Sequence, residues 1–532
     1  MTGASTAGRR HAARGPRARG AWLRARAAWA GGTVVVAVVL FTCYLLQSRT
    51  ISAGSDGASI SLQAWDMLHG NPLLRGWWVA DVTFYTTELP QYMLIESVRG
   101  LSADVMHIGG AMTYTLLVLL AAFLGKGRAR GRAGLVRALL AGGIMLAPQL
   151  GDGTGTLMLS PDHAGTAVPV LAVLLLIDLA PRRWYVPVLA GLVFAWVMVA
   201  DELVAVIGAV PLALVCAVRV YQGVVRHREG LRAQWYELSL AAAAVVSIPV
   251  GLAGIKLVEA LGGWQMSMVS TKFVGGAVLA RNFRLTGQGL LELFGADFFG
   301  AGSGRALVFA VAHLLGVAMV ALGFCVAVRR FLRRDGIIES VLVTAIVLNV
   351  AAYLTTVPVT DLLGTREITA VLPFGAVLAG RLLGERVLAA RAGLALGVVL
   401  AGYAAMLGFS AAQPAAAPQY ADLTAWLRAH HLTSGISGYS QANIVTAESG
   451  GAISLRPVVG QGRYMAATKW EGKSAWYDPG SQRANFLVLS TFGAYEVSAR
   501  EAVATFGRPG RTYRYRQYTI MVWNENLFAR LR

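Results

Sequence analysis

The sequence predicts a mostly α-helical bundle that crosses a membrane many times and is followed by a small α/β domain. Of its 532 residues, 56% are apolar and only 14% are charged, and the apolar residues are gathered in runs long enough to span a bilayer. The loops between these runs alternate between arginine-rich and arginine-poor. After Ala411 the pattern changes to short helix-like and strand-like segments that are typical of a soluble domain.

The charge of the chain does not indicate a nucleic-acid-binding protein. A net charge of +19 would suit such a partner only if it were concentrated on one exposed face, and here the basic residues are distributed among the loops between apolar runs. We therefore predict contact with membrane lipids and none with nucleic acid. The three cysteines all lie in apolar runs and are expected to be buried thiols: Cys43, Cys216 and Cys325.

The N-terminal segment, residues 1–29, is rich in arginine and is expected to be disordered and cytoplasmic. The apolar run that follows is longer than the core of a secretory signal, and it reaches Gln47 without a small-residue cleavage site. We interpret this run as a retained signal anchor.

Residues 30–410 are predicted to form roughly eleven transmembrane helices. Arginine-rich loops follow every second span, and because such loops stay in the cytoplasm, the N-terminus is predicted inside and the C-terminal domain outside the plasma membrane. One missed span would reverse the alternation for every loop that follows it. The odd number of spans is therefore better supported than the boundaries of any single span. The predicted spans are 30–47, 107–124, 138–150, 165–180, 186–200, 202–218, 238–260, 305–326, 337–355, 369–384 and 392–410.

The first outer loop, residues 48–106, carries the first candidate residue. Asp56 opens the loop, and the apolar residues of segment 60–68 predict an amphipathic helix at the membrane interface. Asp56 is expected either to cap this helix or to take part in chemistry. Asp81 and Glu88 of the same loop are expected to be solvated or structural.

Charged residues also occupy the other outer loops. A charged side chain at membrane depth is costly unless it faces a partner or a hydrated cavity, so such residues are candidates for function. Simpler roles are open as well: helix capping for Asp162, a solvated turn for Asp201 and Glu202, and an interface anchor for Arg366. The candidates in these loops are Asp162, His163, Asp201, Glu202, Lys272, Arg281, Arg284 and Arg366.

This arrangement resembles the GT-C glycosyltransferases, membrane enzymes that use polyprenyl-phosphate-linked sugars and include the protein O-mannosyltransferases and the lipid A aminoarabinose transferases. The resemblance covers most of the chain. It rests on an early span, a first outer loop that opens with an Asp, a second outer loop with an acid, a late outer loop with an Arg before a Pro-containing helix, and an extracytoplasmic tail. It implies that Asp56 and Asp162 are catalytic, with Asp56 as the base, and that Arg366 contacts the lipid phosphate.

The implied reaction is an inverting-type transfer of a sugar from a polyprenyl-phosphate donor to an extracytoplasmic acceptor, which is a glycan, a lipid or a protein. A carboxylate can take the acceptor's proton, and the planar fork of arginine suits the phosphate that leaves. The further residues expected to bind substrate are His163, Asp201, Glu202, Lys272, Arg281 and Arg284.

The family often has Asp-Glu where this chain has Asp56-Gly57, and the histidines lack the spacing of metal ligands. No metal site is therefore predicted, while a divalent-metal requirement is left open. Two other functions are also open. Lys256 and Glu259, in the seventh span, suit a transporter or flippase. The second alternative is a non-catalytic assembly protein that has a transferase-like fold.

The C-terminal part is predicted to consist of an Ala/Pro-rich linker, residues 411–418, and an extracytoplasmic α/β domain, residues 419–532. Four aromatic residues of this domain suit either sugar stacking or packing in the core or against the membrane domain; they are Tyr439, Trp470, Trp476 and Tyr477. The predicted helices are 423–432 and 498–506, and the predicted strands are 452–459, 485–490 and 518–523.

Overall fold

The computed structural model describes residues 16–159, 161, 163–267, 273–299, 302–331, 336–356, 359, 361–490 and 497–531. Two predicted site residues, Asp162 and Lys272, and the first fifteen residues of the predicted disordered segment lie outside this part of the chain. The first helix begins at Pro16, further upstream than predicted. The alanines and arginines of this segment are good helix formers and extend the helix beyond its apolar run.

The N-terminal four-fifths of the chain form a helical membrane domain, and each predicted span coincides with a helical segment of it. Short 3-10 or π-helical turns lie at Ala205–Ala209, Gln222–Arg226, Leu231–Gln234 and Leu362–Ile368. The helices are α1 (Pro16–Ser48), α2 (Ser55–Leu68), α3 (Glu88–Arg99), α4 (Asp104–Lys126), α5 (Gly131–Ile144), α6 (Asp152–Met158), α7 (Ala164–Leu179), α8 (Tyr185–Ala200), α9 (Val210–Tyr221), α10 (Trp235–Ala260), α11 (Gly276–Leu293), α12 (Gly304–Phe331), α13 (Ile337–Thr356), α14 (Val371–Ala389) and α15 (Gly393–Ala411).

Within the described residues, seven of these helices are long and apolar enough to cross a bilayer. An eighth span is obtained if the turn Leu362–Ile368 and α14, which meet at an angle of 54°, are counted together. The helices α7 and α8 are apolar but have only 16 residues each, and α5 has 14. The chain is thus a multi-pass membrane protein, while the count of eleven spans stays a prediction.

Small residues bring the helices of the bundle close together, as is typical where lipid supplies no hydrophobic driving force between helices. A Cβ atom added to Gly380 of α14 would lie 2.6 Å from the carbonyl oxygen of Arg137 in α5, and one added to Gly384 would lie 3.1 Å from the Cα atom of that residue. Only glycine allows this contact, which packs α5 and α14 against each other.

The predicted cytoplasmic loops meet at one end of the bundle. Arg381 of α14 lies 3.2 Å from Asp178, at the end of α7, and 2.6 Å from Glu339, at the start of α13. Arg128, from the loop before α5, donates to the backbone carbonyl of Asp178. One predicted cytoplasmic loop and the predicted cytoplasmic ends of three helices are therefore joined by two ion pairs and a hydrogen bond.

We expect Arg381→Ala to destabilise the protein strongly, by about 3–5 kcal/mol, because it leaves two partly buried carboxylates without their cation. Thermal unfolding in detergent measures this effect. Arg386→Ala, on the exposed surface of the same helix, serves as the control and should change the melting temperature little. An equal loss of stability in both variants would contradict the role of the network.

The C-terminal domain is an α/β sandwich, and every helix and strand predicted for it is confirmed. Its six-stranded sheet has the order β5-β4-β3-β7-β9-β8, in which β3 pairs in parallel with β4 and β7 and the other pairs are antiparallel. Helices α16 and α17 cover one face and α18 covers the other. The elements are α16 (Ala421–Ala429), β3 (Ser434–Ser437), α17 (Tyr439–Glu448), β4 (Ser454–Gln461), β5 (Tyr464–Ala467), β7 (Phe486–Ser490), α18 (Ala499–Phe506), β8 (Arg511–Tyr515) and β9 (Tyr518–Val522); β6 (Gly472–Lys473) belongs to a second sheet, with β1 (Trp77–Val79) and β2 (Gln265–Met266).

This second sheet joins the C-terminal domain to the membrane domain. Trp78 of β1 pairs with Gln265 of β2 on one side and with Gly472 of β6 on the other. Beside the sheet, Lys473 forms a salt bridge of 2.8 Å with Asp66 of α2. Two loops of the membrane domain and one segment of the C-terminal domain are thus fixed at one place.

Tryptophans and a helix extend the same contact. The ring of Trp77 meets that of Trp476 edge to face, with centroids 4.8 Å apart, and both rings are buried. The helix predicted in this loop is present as α2, but its first half is not amphipathic, since residues 57–64 are all buried and the helix packs against α3 and α17. The C-terminal domain therefore covers the first outer loop.

Candidate functional site

A cavity of about 290 Å³ lies where the predicted outer loops meet the C-terminal domain. Residues from the first outer loop, the loop before α7, the turn before α14 and the C-terminal domain all contribute to its wall. The lining residues are Asp56, Ala80, Asp81, Val82, Phe84, Pro161, His163, Arg366, Glu367, Trp470 and Glu471. Three of the predicted site residues are among them, together with three further carboxyl side chains and a tryptophan.

Asp56 lies in the first turn of α2, where the helix dipole favours a negative charge. Its side chain makes no capping hydrogen bond to this helix. Instead, Oδ2 lies 3.5 Å from a guanidinium nitrogen of Arg366, and Oδ1 accepts a hydrogen bond of 2.8 Å from the hydroxyl of Tyr439. The side chains of Asp56 and Arg366 are both about half exposed, so their pair is accessible from the cavity.

Arg366 and its neighbour Glu367 lie in the 3-10 turn Leu362–Ile368, before the bend that leads into α14. The start of this turn is stabilised by Asp361, whose side chain accepts a hydrogen bond from the amide of Leu363. Near its end, the hydroxyl of Thr369 donates to the carbonyl of Arg366. The turn is therefore held at both ends, and it presents one cation and one anion to the cavity.

His163 lies between two carboxylates from different parts of the chain. Its Nδ1 is 2.8 Å from Asp201 at the end of α8, and its Nε2 is 3.1 Å from Glu367. Both ring nitrogens face acceptors, so both carry a proton and the imidazole is a cation. Asp201, which is 3% exposed, also accepts from the hydroxyl of Thr166 and from the amide of Leu203. This buried triad ties α7 and α8 to the turn that carries Arg366.

We expect His163→Leu to destabilise the protein by about 3–5 kcal/mol, because Asp201 then stays buried without a cation. Thermal unfolding in detergent measures the loss, with His69→Gln on the exposed end of α2 as the control. Adding Asp201→Asn to His163→Leu should restore part of the stability, since it removes the uncompensated charge. A double variant less stable than His163→Leu would argue against the ion pair.

Other predicted residues lie away from the cavity wall. Arg281 and Arg284 are exposed on α11, and Glu202 is exposed beside the buried Asp201. Asp201 itself is buried beside His163 and does not line the cavity. No position is described for Asp162 or Lys272, so their predicted roles stay predictions.

Several residues of the site were not expected from the sequence. Asp81 lines the cavity, and burial raises its pKa, with a smaller contribution from the charge of Glu367. Glu88 is buried rather than solvated, and burial raises its pKa to about 7. Glu367 could have been predicted from the sequence, since it directly follows the candidate Arg366 in a predicted outer loop. Nothing in the local sequence around Glu471 indicates that it belongs to the site.

The four aromatic residues of the C-terminal domain have different positions. Trp470 lines the cavity. Trp476 packs against Trp77 and lies under the guanidinium of Arg456, so it belongs to the contact between domains. The hydroxyl of Tyr477 donates to the carbonyl of Pro457 within the domain. Only Trp470 and Tyr439 are therefore placed to act in the cavity.

The described side chains do not fit a metal ion. Within the described residues, no three His, Cys, Asp or Glu side chains are grouped so that they could hold one. Two of the four carboxyl side chains that line the cavity face cations, Asp56 with Arg366 and Glu367 with His163.

Neither a protein-family model nor a curated protein matches the sequence. Among solved structures, ArnT from Cupriavidus metallidurans bound to undecaprenyl phosphate is similar, with a TM-score of 0.52, 14% identity, and coverage of 93% of this chain and 98% of that one. The Archaeoglobus fulgidus oligosaccharyltransferase in complex with Zn and sulfate gives a TM-score of 0.49 and 14% identity, over 92% of this chain and 73% of the other. The likeness to ArnT confirms the predicted architecture: this chain has the fold of the GT-C glycosyltransferases.

Proposed function

We propose that the protein is a membrane glycosyltransferase that moves a sugar from a polyprenyl-phosphate-linked donor to a hydroxyl group of an extracytoplasmic acceptor. The observation that carries this proposal is the pair of Asp56 and Arg366 in the cavity, 3.5 Å apart and both accessible. Glycosyl transfer from a phosphate requires a base and a cation at one place. These two residues supply both.

In the proposed reaction, Asp56 accepts the proton of the acceptor hydroxyl as the hydroxyl oxygen bonds to the anomeric carbon of the sugar. The bond from that carbon to the phosphate oxygen breaks, and its electron pair leaves with the phosphate. Arg366 stabilises the negative charge that develops there, since its planar fork matches the phosphate oxygens. Attack from the face opposite the phosphate inverts the anomeric configuration.

Arg366 is expected to change partners when the donor binds. Before binding it faces Asp56, and a phosphate that enters the cavity offers it a stronger acceptor. When Arg366 moves from Asp56 to the phosphate, the carboxylate of Asp56 becomes free to accept a proton. The triad of Asp201, His163 and Glu367 holds the turn that carries Arg366 in place during this exchange.

Two further facts support a lipid-linked donor. The solved structure of ArnT, which has the same fold, contains undecaprenyl phosphate. The cavity lies among the loops that the arginine pattern assigns to the outer side of the membrane, where nucleotide sugars are scarce. The proposed orientation therefore places the reaction outside the cytoplasm.

The transport alternative has weaker support. Lys256 and Glu259, which suggested it, form a salt bridge of 2.8 Å with each other on consecutive turns of α10. The side chain of Lys256 is 73% exposed, so it does not point into the interior of the bundle. A substrate pathway through a bundle would be expected to have inward-facing charged groups.

The experiment that tests the proposal is sugar transfer by the purified, lipid-reconstituted protein from a panel of radiolabelled polyprenyl-phosphate sugars to envelope glycan, lipid and protein acceptors. Transfer of one labelled sugar, with inversion at its anomeric carbon, is the expected result. A protein that binds none of the donors and turns over none of them would favour a transporter or an assembly protein.

A further inference from the structure

The hydroxyl of Tyr439 lies between two carboxyl groups. It is 2.8 Å from Oδ1 of Asp56, and it also forms a hydrogen bond with Oε2 of Glu471. A phenol has one proton to donate. Tyr439 can therefore donate to one of the two carboxyl groups only, and the other must carry a proton and donate to the phenol oxygen.

The surroundings decide which carboxyl group carries that proton. Glu471 is 2% exposed, whereas the side chain of Asp56 is 56% exposed and faces Arg366. Burial, together with the nearby charge of Asp56, raises the pKa of Glu471 to about 8. Burial also raises the pKa of Tyr439 well above its usual value, so the phenol keeps its proton. At neutral pH, Glu471 is thus neutral and donates to Tyr439, which donates to Asp56.

We propose that Glu471 and Tyr439, both from the C-terminal domain, form a hydrogen-bond relay that positions the carboxylate of Asp56 for sugar transfer. Tyr439 fixes Oδ1 of Asp56 and keeps this contact when Arg366 leaves Oδ2 for the phosphate of the donor. The two residues are positioning residues, since they act on the substrate through Asp56. This inference rests on the proposed function and extends it to the role of the C-terminal domain.

The backbone supports a specific role for Glu471. Its φ of 46° lies in the left-handed region, which few residues other than glycine adopt. Two contacts hold it there: Asn443 donates to the carbonyl of Glu471, and the next residue, Gly472, pairs with Trp78 of the membrane domain. The contact between the two domains thus also places the carboxyl group of Glu471 at Tyr439.

The relay makes transfer depend on pH. The charged and titratable groups that face Glu471 are Asp56, Tyr439 and Arg366, with Asp81, His163 and Glu367 in the same cavity. Below a pH of about 8, Glu471 is neutral and the relay is directed toward Asp56. Above it, Glu471 is an anion, Tyr439 donates to it instead, and Asp56 loses its donor. The transfer rate is therefore expected to fall as pH rises through this value.

Glu471→Gln separates the relay from a merely structural role. The glutamine amide can donate to Tyr439 at every pH, so this variant should keep its transfer rate and lose the fall near pH 8. Tyr439→Phe removes the donor to Asp56 and should lower the rate about ten- to one-hundred-fold, which is the size of a lost hydrogen bond to a charged group. Tyr513→Phe, on β8 away from the cavity, is the matched control.

An infrared pH titration tests the relay without any activity. Other buried carboxyl groups, such as Glu88, also absorb in this region, so the band of Glu471 is read from the difference between spectra with Glu471 and with Glu471→Gln. This difference should contain the C=O stretch of a buried carboxylic acid at neutral pH, and in the Asp56→Asn background the band should disappear at a lower pH. No transfer in any assay, with this band present, would overturn the proposed function but not the relay. Normal transfer with no such band, and with the same pH profile in Glu471→Gln, would overturn the relay alone.

Discussion

Asp56→Asn should lower the rate of sugar transfer by about 10²–10⁴-fold, the usual contribution of a general base, and should leave the protein folded. Asparagine has the shape of aspartate and can still accept the hydrogen bond from Tyr439, but it cannot take a proton from the acceptor. The cost to stability is small, since the pair with Arg366 is half exposed and such pairs contribute about 1 kcal/mol or less.

The measurement is single-turnover transfer with the donor bound, accompanied by thermal unfolding of the same preparation. Asp422→Asn is a matched control, since Asp422 is paired with Arg516 and both side chains are 57% exposed, close to the values at the site. A well-folded Asp56→Asn variant that transfers sugar at the rate of the wild type would remove Asp56 from the role of base.

Arg366→Ala should weaken binding of the donor about 10- to 100-fold, because hydrogen bonds to charged groups contribute about 1.5–3 kcal/mol. It should also lower kcat, since the charge on the leaving phosphate then lacks its cation. Arg366→Lys should lie between the wild type and the alanine variant, because lysine keeps the charge but lacks the planar fork.

Equilibrium binding of the labelled donor, together with kcat and KM, separates these effects. Arg516→Ala is the matched control for loss of an exposed, ion-paired arginine. If donor binding and kcat were both unchanged in Arg366→Ala, the arginine would be only a partner of Asp56, and the phosphate contact would have to be sought elsewhere.

The membrane architecture could be predicted from the sequence because the bilayer allows few alternatives. An apolar segment in lipid must satisfy its own backbone hydrogen bonds, so each apolar run is a helix, and the arginine pattern assigns the loops to two sides. Arg128, from a predicted cytoplasmic loop, and Asp178, Glu339 and Arg381, from the predicted cytoplasmic ends of three helices, do meet in the structure. Two helices and three strands of the C-terminal domain followed from their periodicity in the same way, whereas α17, β3, β5 and β8 were not predicted.

Part of the site could also be predicted, because Asp56, His163 and Arg366 lie in loops predicted on the same side of the membrane, where charged side chains near membrane depth are candidates for function. Their grouping follows from the loops sharing one end of the bundle. The pairing of His163 with Asp201 and Glu367, by contrast, joins α7, α8 and the turn before α14, and nothing in the local sequence specifies which carboxylate faces which cation.

By itself, the sequence determined the apolar helices of the bundle, the sides of the membrane on which the loops are expected, and three of the residues around the cavity. Only the tertiary structure decided that the C-terminal domain completes the site. Tyr439 contacts Asp56, which is 383 residues away in the chain. Glu471 is held beside Tyr439 by the two-residue strand Gly472–Lys473, which pairs with Trp77 and Trp78. Hydropathy and charge patterns are read from residues that are neighbours in the chain. This contact depends instead on how the surfaces of two folded domains pack against each other.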